Sequence, residues 1–279
     1  MLWENLTVKQ FEEAVISTNR VCVLPIGCLE KHGDHLPLGT DMMIARAVVE
    51  QTAELEPVVI FPYYIFGQVS EVKHYAGTVA LSGEMQMRLL SEVCKEIRRN
   101  GFDKIILANG HGGNNNMLKY FAQTMLDERK DYVVYTYDLW ELNSGQLQHL
   151  ESSFETPGEY GHADHMETSE IMHIDPSLVY MDRLNPGEWD SQGRARWLAE
   201  HNVTAGIHWY TEFPNQIAGD PSLSTADYGK VYIDFCSHNF AEAIRQIKKD
   251  ETVLKLQTEF FDRCDEVARI PGTAKKDNE

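Results

Sequence analysis

Short apolar runs alternate with amphipathic stretches along the first half of the chain. Runs rich in β-branched residues predict four strands, over 21–26, 58–61, 104–108 and 132–137. Apolar residues spaced three or four apart, with polar caps before them, predict helices over 7–17, 41–54, 82–99 and 115–129. Regular strand–helix alternation builds a parallel sheet. The pattern therefore predicts an α/β fold, with a mostly parallel central sheet covered by helices on both faces.

The alternation weakens beyond residue 140. Residues 141–163 are polar and contain glycine, which predicts a surface excursion, and 175–225 predict long loops with short elements. Further helices are predicted over 167–174, 226–248 and 251–268, followed by a frayed tail over 271–279. No internal repeat or low-complexity linker interrupts the sequence, so a single domain over 1–279 is the simpler interpretation.

Charge and cysteine content narrow the classes of partner. The 279 residues carry a net charge of −18, from 43 acidic and 25 basic side chains. Nucleic acids and anionic membranes would be repelled on average, because both are bound through clustered Lys and Arg. The five cysteines form no CxxC pair, which is typical of reduced thiols in a cytoplasmic protein. We expect a small-molecule substrate, with neither nucleic acid nor membrane as partner.

The densest group of chemically active residues directly follows the first predicted strand. Residues 30–41 read EKHGDHLPLGTD and contain two imidazoles and three carboxylates. Glu30 and His32 are two apart, so in an extended segment they project to the same side. Gly33 and Gly39 let the chain turn back and bring Asp41 beside them. Mixed nitrogen and oxygen donors suit Zn²⁺, Mn²⁺ or Fe²⁺. The alternative is a polar surface loop ending in a helix-capping aspartate.

Two further motifs follow later in the chain. The glycine-rich segment 108–114, ANGHGGN, comes after the third strand and adds His111. In a parallel sheet it emerges at the same edge as residues 30–41. It lacks the spacings of phosphate-binding glycine loops. Segment 161–170, GHADHMETSE, places His162 and Glu167 at the start of a helix, where a first-turn Glu is also a common stabilising feature. His74 is isolated, and an isolated His is more often structural. No GxSxG nucleophile motif occurs.

In this order, the three motifs resemble those of the creatininase (creatinine amidohydrolase) family. The matching pattern is Glu30-x-His32-Gly-x-His-Leu-Pro-x-x-Thr-Asp41, then Asn-Gly-His111-Gly-Gly-Asn, then His162-Ala-x-x-x-Glu-Thr-Ser. The segment HYAGT at 74–78 is also similar to the family's His-containing loop before its Gly-Thr. The resemblance covers about residues 15–250 and rests most heavily on the first motif.

The resemblance implies a three-layer α/β/α domain, a centre with two divalent metal ions and a cyclic homo-oligomer, commonly a hexamer. By analogy with the family, Asp41 bridges both metals, Glu30 and His111 bind one, and His32 binds the other. Creatininase has a Glu two residues after the His of the second motif, where this chain has Gly113. This departure argues against creatinine as the substrate and leaves the second metal one ligand short.

We therefore expect Glu167 to complete the second metal's ligands and His162 to protonate the leaving group. The expected activity is metal-dependent hydrolysis, with water attacking the carbonyl of a small, neutral or cationic polar molecule. The motifs contain one basic residue, Lys31, whereas a phosphate ester would require an Arg or Lys clamp. C–N cleavage of a cyclic amide or formamide is favoured. The alternatives are C–C ring opening of a cyclic polyol-derived diketone, and a non-catalytic metal-binding scaffold.

Overall fold

A parallel sheet forms the centre of the protein. The computed structural model describes residues 1–156 and 160–267. Within them, four strands pair in parallel in the order β2-β1-β3-β4. Their bounds are β1 Val21–Ile26, β2 Val59–Ile60, β3 Lys104–Asn109 and β4 Val133–Asp138. Ile26 lies opposite Asn109, and Asn109 lies opposite Asp138, so three strands end level at the same edge. The predicted parallel α/β sheet is confirmed.

Helices cover both faces of the sheet. Their bounds are α1 Val8–Ser17, α2 Thr40–Leu55, α3 Gly83–Arg99, α4 Asn115–Thr124, α5 Ser144–Ser153, α6 His165–Ile174, α7 Trp197–Glu200, α8 His208–Glu212, α9 Ala226–Lys249 and α10 Val253–Val267. The predicted caps Thr7 and Ser82 both accept hydrogen bonds from the first turns of their helices. None of these described helices has the length and apolar character needed to cross a lipid bilayer.

Strand residues alternate between two apolar cores. Val21 and Val23 of β1 belong to one cluster, which α2, α6 and α9 complete. Cys22 and Leu24 point the other way, into a cluster with α1, α3 and α4. Successive side chains of a strand face opposite sides, so a sheet buried on both faces is apolar at every position, as β1 is. The three-layer α/β/α architecture is confirmed.

The helices differ from the sequence prediction in two places. α4 ends at Thr124 rather than near residue 129, where charged residues and turns follow. α5 occupies part of the segment predicted as a surface excursion. Asn143 caps it, and a reciprocal hydrogen bond from Gln146 completes a capping box. The predicted tail, 271–279, and residue 268 of the last predicted helix lie outside the described residues.

Close contact between α6 and α9 sets the position of α6. A Cβ built on Gly229 of α9 would lie 2.0 Å from the carbonyl oxygen of Ser169 in α6, a separation that only glycine permits. The backbone N–H of Thr225, at the start of α9, donates to Ser169 Oγ at 3.0 Å. Because α6 carries Glu167, this contact between helices also fixes the depth of that carboxylate.

Candidate metal centre

The predicted ligands converge just beyond the carboxyl edge of the sheet. Glu30 and His32 lie in the loop after β1, Asp41 in the first turn of α2, His111 directly after β3, and Glu167 in the first turn of α6. Glu30, His32 and Asp41 are each at most 2% exposed. Burying an ionised carboxylate is costly unless an opposite charge compensates it. This much buried charge therefore calls for a compensating cation.

Asp41 lies between two groups of donor atoms. Its Oδ1 is 2.9 Å from His32 Nε2, and its Oδ2 is 2.8 Å from His111 Nδ1. On one side, Cys28, Glu30, Asp41 and His111 offer ligand atoms that all lie within 4.8 Å of one another. On the other, His32, Asp41 and Glu167 do the same. A third group of this kind, Glu30, His32 and His162, overlaps both.

Two backbone carbonyls orient the histidines toward this centre. His32 Nδ1 lies 3.3 Å from the carbonyl oxygen of Glu30, and His111 Nε2 lies 2.6 Å from that of Gln68. A carbonyl oxygen only accepts, so these ring nitrogens carry the hydrogen. The other nitrogen of each ring faces Asp41, where a bound metal ion would take the place of the ring proton. Metal-binding histidines are typically held in this way, so the donor set fits divalent metal ions.

The charges of the centre reinforce one another. Burial raises the pKa of the Glu30 carboxyl, but His111 and His162 outweigh it and lower that pKa to about 2. Burial lowers the pKa of His32, but Asp41 and Glu167 outweigh it and raise that pKa to about 10. In the described structure, the carboxylates of Glu30, Asp41 and Glu167 form ion pairs with histidines only, and with no Lys or Arg. The lowered pKa values keep Glu30 and Asp41 ionised, and the centre attracts cations.

Glu167 faces the second donor group. Its Oε2 lies 3.6 Å from His32 Nε2 and accepts a hydrogen bond from the backbone N–H of Ala163 at 2.5 Å. The alternative role, capping α6, is filled by Asp164, whose side chain accepts from the N–H groups of Met166 and Glu167. Glu167 is therefore not needed as the cap.

Gly113 leaves no room for a side chain. A Cβ there would lie 2.5 Å from His111 Nε2 and 2.7 Å from the carbonyl oxygen of Gln68. It would intrude on the hydrogen bond that orients His111. The absence of a side chain at this position thus preserves the orientation of the imidazole.

His162 is oriented by a residue that the sequence did not single out. Its Nδ1 lies 3.1 Å from the carbonyl oxygen of Gln216, while its Nε2 lies 3.1 Å from Glu30 Oε1. The Gln216 side chain accepts a hydrogen bond from Trp209 Nε1 at 2.7 Å, and Trp209 packs edge-on against His162. Gln216 has a φ of 60°, which is uncommon for a non-glycine residue. Nothing in its sequence neighbourhood signals this conformation.

Other residues noted in the sequence lie outside the donor groups. His35 is fully buried, and its Nε2 lies 2.9 Å from Thr168 Oγ1. His74 is exposed and packs against Tyr75 and Tyr210. Cys28 does belong to a donor group, although the sequence predicted only that the cysteines are reduced thiols. Its place two residues before Glu30 was the available signal.

A cavity of about 830 Å³ opens above the centre. Glu30, His111, His162 and Glu167 form its floor. Its walls include four aromatic residues, Tyr160, Trp189, Trp209 and Phe213. Among the described residues, no Lys or Arg lines it, whereas the carboxylates Glu71 and Asp190 do. The site therefore combines a buried centre rich in metal donors with an aromatic, acidic chamber.

The chain belongs to the creatininase family. The family model, described as creatinine amidohydrolase, matches residues 4–244. Members of this family are metal-dependent hydrolases, and the protein is an enzyme of that class. This sets aside the alternative of a non-catalytic metal-binding scaffold.

Relatives with different named reactions match most of the chain. Creatinine amidohydrolase from Pseudomonas putida is 26% identical, covering 86% of this chain and 95% of its own. A mycofactocin precursor peptide peptidase from Mycobacterium ulcerans (strain Agy99) is 29% identical, over 75% and 78%. A 3-dehydro-scyllo-inosose hydrolase from Thermotoga maritima is 23% identical, over 88% and 83%. The reaction therefore varies among relatives of similar extent.

Solved structures share the fold. A Bacteroides fragilis protein, named only provisionally as a creatinine amidohydrolase, superposes with a TM-score of 0.75 at 23% identity, covering 90% of this chain and 98% of its own. Creatininase structures of a zinc–zinc type and of a manganese form each give a TM-score of 0.71, at 22% and 21% identity. They cover 89% of this chain, and 98% and 99% of their own.

Proposed function

We propose that the protein is a two-metal amidohydrolase that cleaves a C–N bond in a small, neutral or cationic cyclic amide or formamide. The observation that carries the proposal is the position of Asp41, between two buried donor groups at the floor of a cavity whose described lining contains no Lys or Arg. Zinc, manganese or iron suits these mixed nitrogen and oxygen donors. The relatives' zinc and manganese structures support the first two.

Each donor group is assigned to one ion. Glu30 and His111 would hold the first, His32 and Glu167 would hold the second, and Asp41 would serve both. Two divalent ions at such a centre, when bound, lower the pKa of a water molecule and polarise a carbonyl oxygen. The protein's own part is to fix the donors and to exclude bulk solvent around the reacting water. The buried ligands and the aromatic walls do both.

His162 is the proton donor for the leaving nitrogen. Burial and His32 lower the pKa of His162. Glu30 and Glu167 raise it by more, so the net pKa lies above the ordinary value. A raised pKa enlarges the fraction of the imidazole that is protonated and able to donate. With Nδ1–H held on the carbonyl of Gln216, Nε2 is the atom that delivers the proton. An amine leaving group needs that proton, since it is a poor leaving group as an anion.

The cavity lining favours uncharged or positive substrates. Phosphate and carboxylate substrates are usually bound by Arg or Lys, which the described lining lacks. Glu71 and Asp190 would repel them and attract a cation. Trp189 and Trp209 offer faces on which a planar amide or a cationic group can pack.

Metal content and turnover together test this proposal. We expect about two divalent ions per chain in purified protein, and Asp41→Ala should lose most of them because Asp41 serves both. Cyclic amides, formamides and cyclic ketones should be screened on the wild type, Glu167→Gln and His162→Ala, with His238→Ala, an exposed histidine, as the control. Full metal content and activity in Glu167→Gln would refute its role as ligand.

A second reaction is hydrolytic C–C ring opening of a cyclic polyol-derived diketone. The relative named for an inosose favours it, because it matches 88% of this chain. That cleavage expels an enolate, which needs His162 less than an amine does. Turnover of a cyclic diketone by both wild type and His162→Ala, with no turnover of any amide, would replace the first proposal with this one.

Three further expectations complete the proposal. They are a single domain, a cytoplasmic location and a homo-oligomer, commonly a hexamer in the family. Light scattering of the purified protein measures the assembly directly. A monomer at micromolar concentration would refute the last of them.

A further inference from the structure

Cys28 is the one described cysteine that lies among candidate metal ligands. It follows β1, two residues before Glu30, and is fully buried. Its Sγ lies 3.1 Å from Asp41 Oδ2, the oxygen that also contacts His111 Nδ1. By contrast, the buried thiol of Cys22 belongs to an apolar core cluster and lies 4.0 Å from the carbonyl oxygen of Val23.

The charges of the centre leave room for one more anion. Two divalent ions carry four positive charges, whereas Glu30, Asp41 and Glu167 carry three negative ones. The loop after His111 adds none, because residues 112 and 113 are glycines and the Asn114 amide is neutral. The Asn114 side chain is already bonded to the backbone N–H of Gln68 and to Asn109.

We propose that Cys28 is a sulfur ligand of the first metal, together with Glu30, Asp41 and His111. The inference rests on the proposed metal centre and adds a donor to it. Sulfur binds as the thiolate, and the thiol proton passes to solvent as the metal–sulfur bond forms. Four donors of this kind would suit tetrahedral zinc, with a Zn–S bond of about 2.3 Å and Zn–N and Zn–O bonds of about 2.0–2.2 Å. The water of the proposed reaction would then bind at the second position, which has three protein donors. Thiolates favour Zn²⁺, whereas carboxylates and water suit Mn²⁺. Cys28 thus makes the first position selective for zinc.

Cobalt substitution tests the bond without measuring turnover. Full-length protein is stripped of metal and reloaded with Co²⁺, whose bonds to thiolate give an intense charge-transfer band in the near ultraviolet. The wild type and Cys22→Ala, a buried cysteine away from the centre, should show this band. Cys28→Ser and Cys28→Ala should lose it and keep the weaker visible bands of bound Co²⁺. X-ray absorption of the zinc-loaded wild type should show sulfur at about 2.3 Å, even if both Cys28 variants fail to fold.

Metal competition measures the selectivity. The preference for zinc over manganese should fall by more than about tenfold in Cys28→Ser, the lower end of the loss caused by removing even an outer-shell partner. It should be unchanged in Cys22→Ala. Bound cobalt without a sulfur band in the wild type, or a band that persists in Cys28→Ser, would overturn the inference and leave the metal centre standing. Failure of the wild type to bind any metal would overturn the centre itself, and the inference with it.

Discussion

Gly229→Ala should loosen the contact between α6 and α9 and weaken the metal centre at a distance. The added Cβ would lie 2.0 Å from the carbonyl oxygen of Ser169 and 2.7 Å from the backbone nitrogen of Glu170. Non-bonded heavy atoms rest about 3.5–4.0 Å apart, so α6 and α9 must separate locally by more than about 1 Å. The obstacle is backbone, which cannot swing aside as a side chain can.

Two opposing terms set the size of the effect. Overpacking of this kind costs about 1–3 kcal/mol, and replacing a helical Gly by Ala returns at most about 1 kcal/mol. The expected net loss is therefore up to about 3 kcal/mol of unfolding free energy. A shift of about 1 Å also exceeds the tolerance of roughly 0.2 Å in metal–ligand distances, so Glu167 on α6 should bind its ion more weakly.

Thermal unfolding and metal titration measure both consequences. Gly83→Ala is the matched control, because it lies at the start of α3 and its Cβ would meet no described atom within 4 Å apart from its chain neighbours and the backbone of its own helix. That variant should be as stable as the wild type or more so, with unchanged metal affinity. If Gly229→Ala matched Gly83→Ala in Tm and in metal affinity, the argument that the contact between α6 and α9 positions Glu167 would be wrong.

Three further variants test single contacts. Gly113→Ala should lose bound metal, because its Cβ would lie 2.5 Å from His111 Nε2, whereas Gly112→Ala, open to 4 Å in the described structure, should keep it in elemental analysis. Gln216→Gly keeps the backbone carbonyl that contacts His162 but loses the side-chain amide that holds Trp209 in the cavity wall. KM should therefore rise with little change in kcat, and a fall in kcat as large as the rise in KM would contradict this. Burial, and secondarily a neighbouring imidazole, lower the pKa of His35 to about 4, below its unfolded value. Between pH 6.5 and 4 the unfolded state therefore binds more protons than the folded state. Over that range, metal-free wild type should lose roughly 3 kcal/mol of unfolding free energy relative to His35→Gln, as measured by urea unfolding.

The sequence predicted the framework because the framework is periodic. Apolar runs such as 21–26 and 104–108 are buried on both faces, and that pattern survives any detail of packing. The parallel order then places the ends of β1 and β3 side by side. The motifs that follow these strands were expected at one edge of the sheet for that reason alone. Bringing Glu30 and His111 together needed no knowledge of the loops.

Features that depend on tertiary contact were not predicted. Gln216 adopts a φ of 60° and forms hydrogen bonds with His162 and Trp209. The spacing of these residues in the sequence does not predict that arrangement. Cys28 was predicted only as one of five reduced thiols, because its sequence neighbours do not show that a carboxylate faces it. α5 was not predicted because its polar, largely exposed sequence has little helical periodicity. The pair Asn143 and Gln146, which forms its capping box, was the one available signal.

The floor and the walls of the cavity have different structural origins, and this affects how such enzymes evolve. The floor comes from the ends of core strands and the starts of α2 and α6, where any change disturbs buried charge. Much of the wall, including Trp189, Trp209 and Phe213, comes from the irregular segment between α6 and α9. Mutations in this segment that spare Gln216 and Trp209, which hold His162, should reshape the chamber at little cost to the centre. A lineage with this design can acquire new substrates by changing surface loops while it inherits its chemistry unaltered.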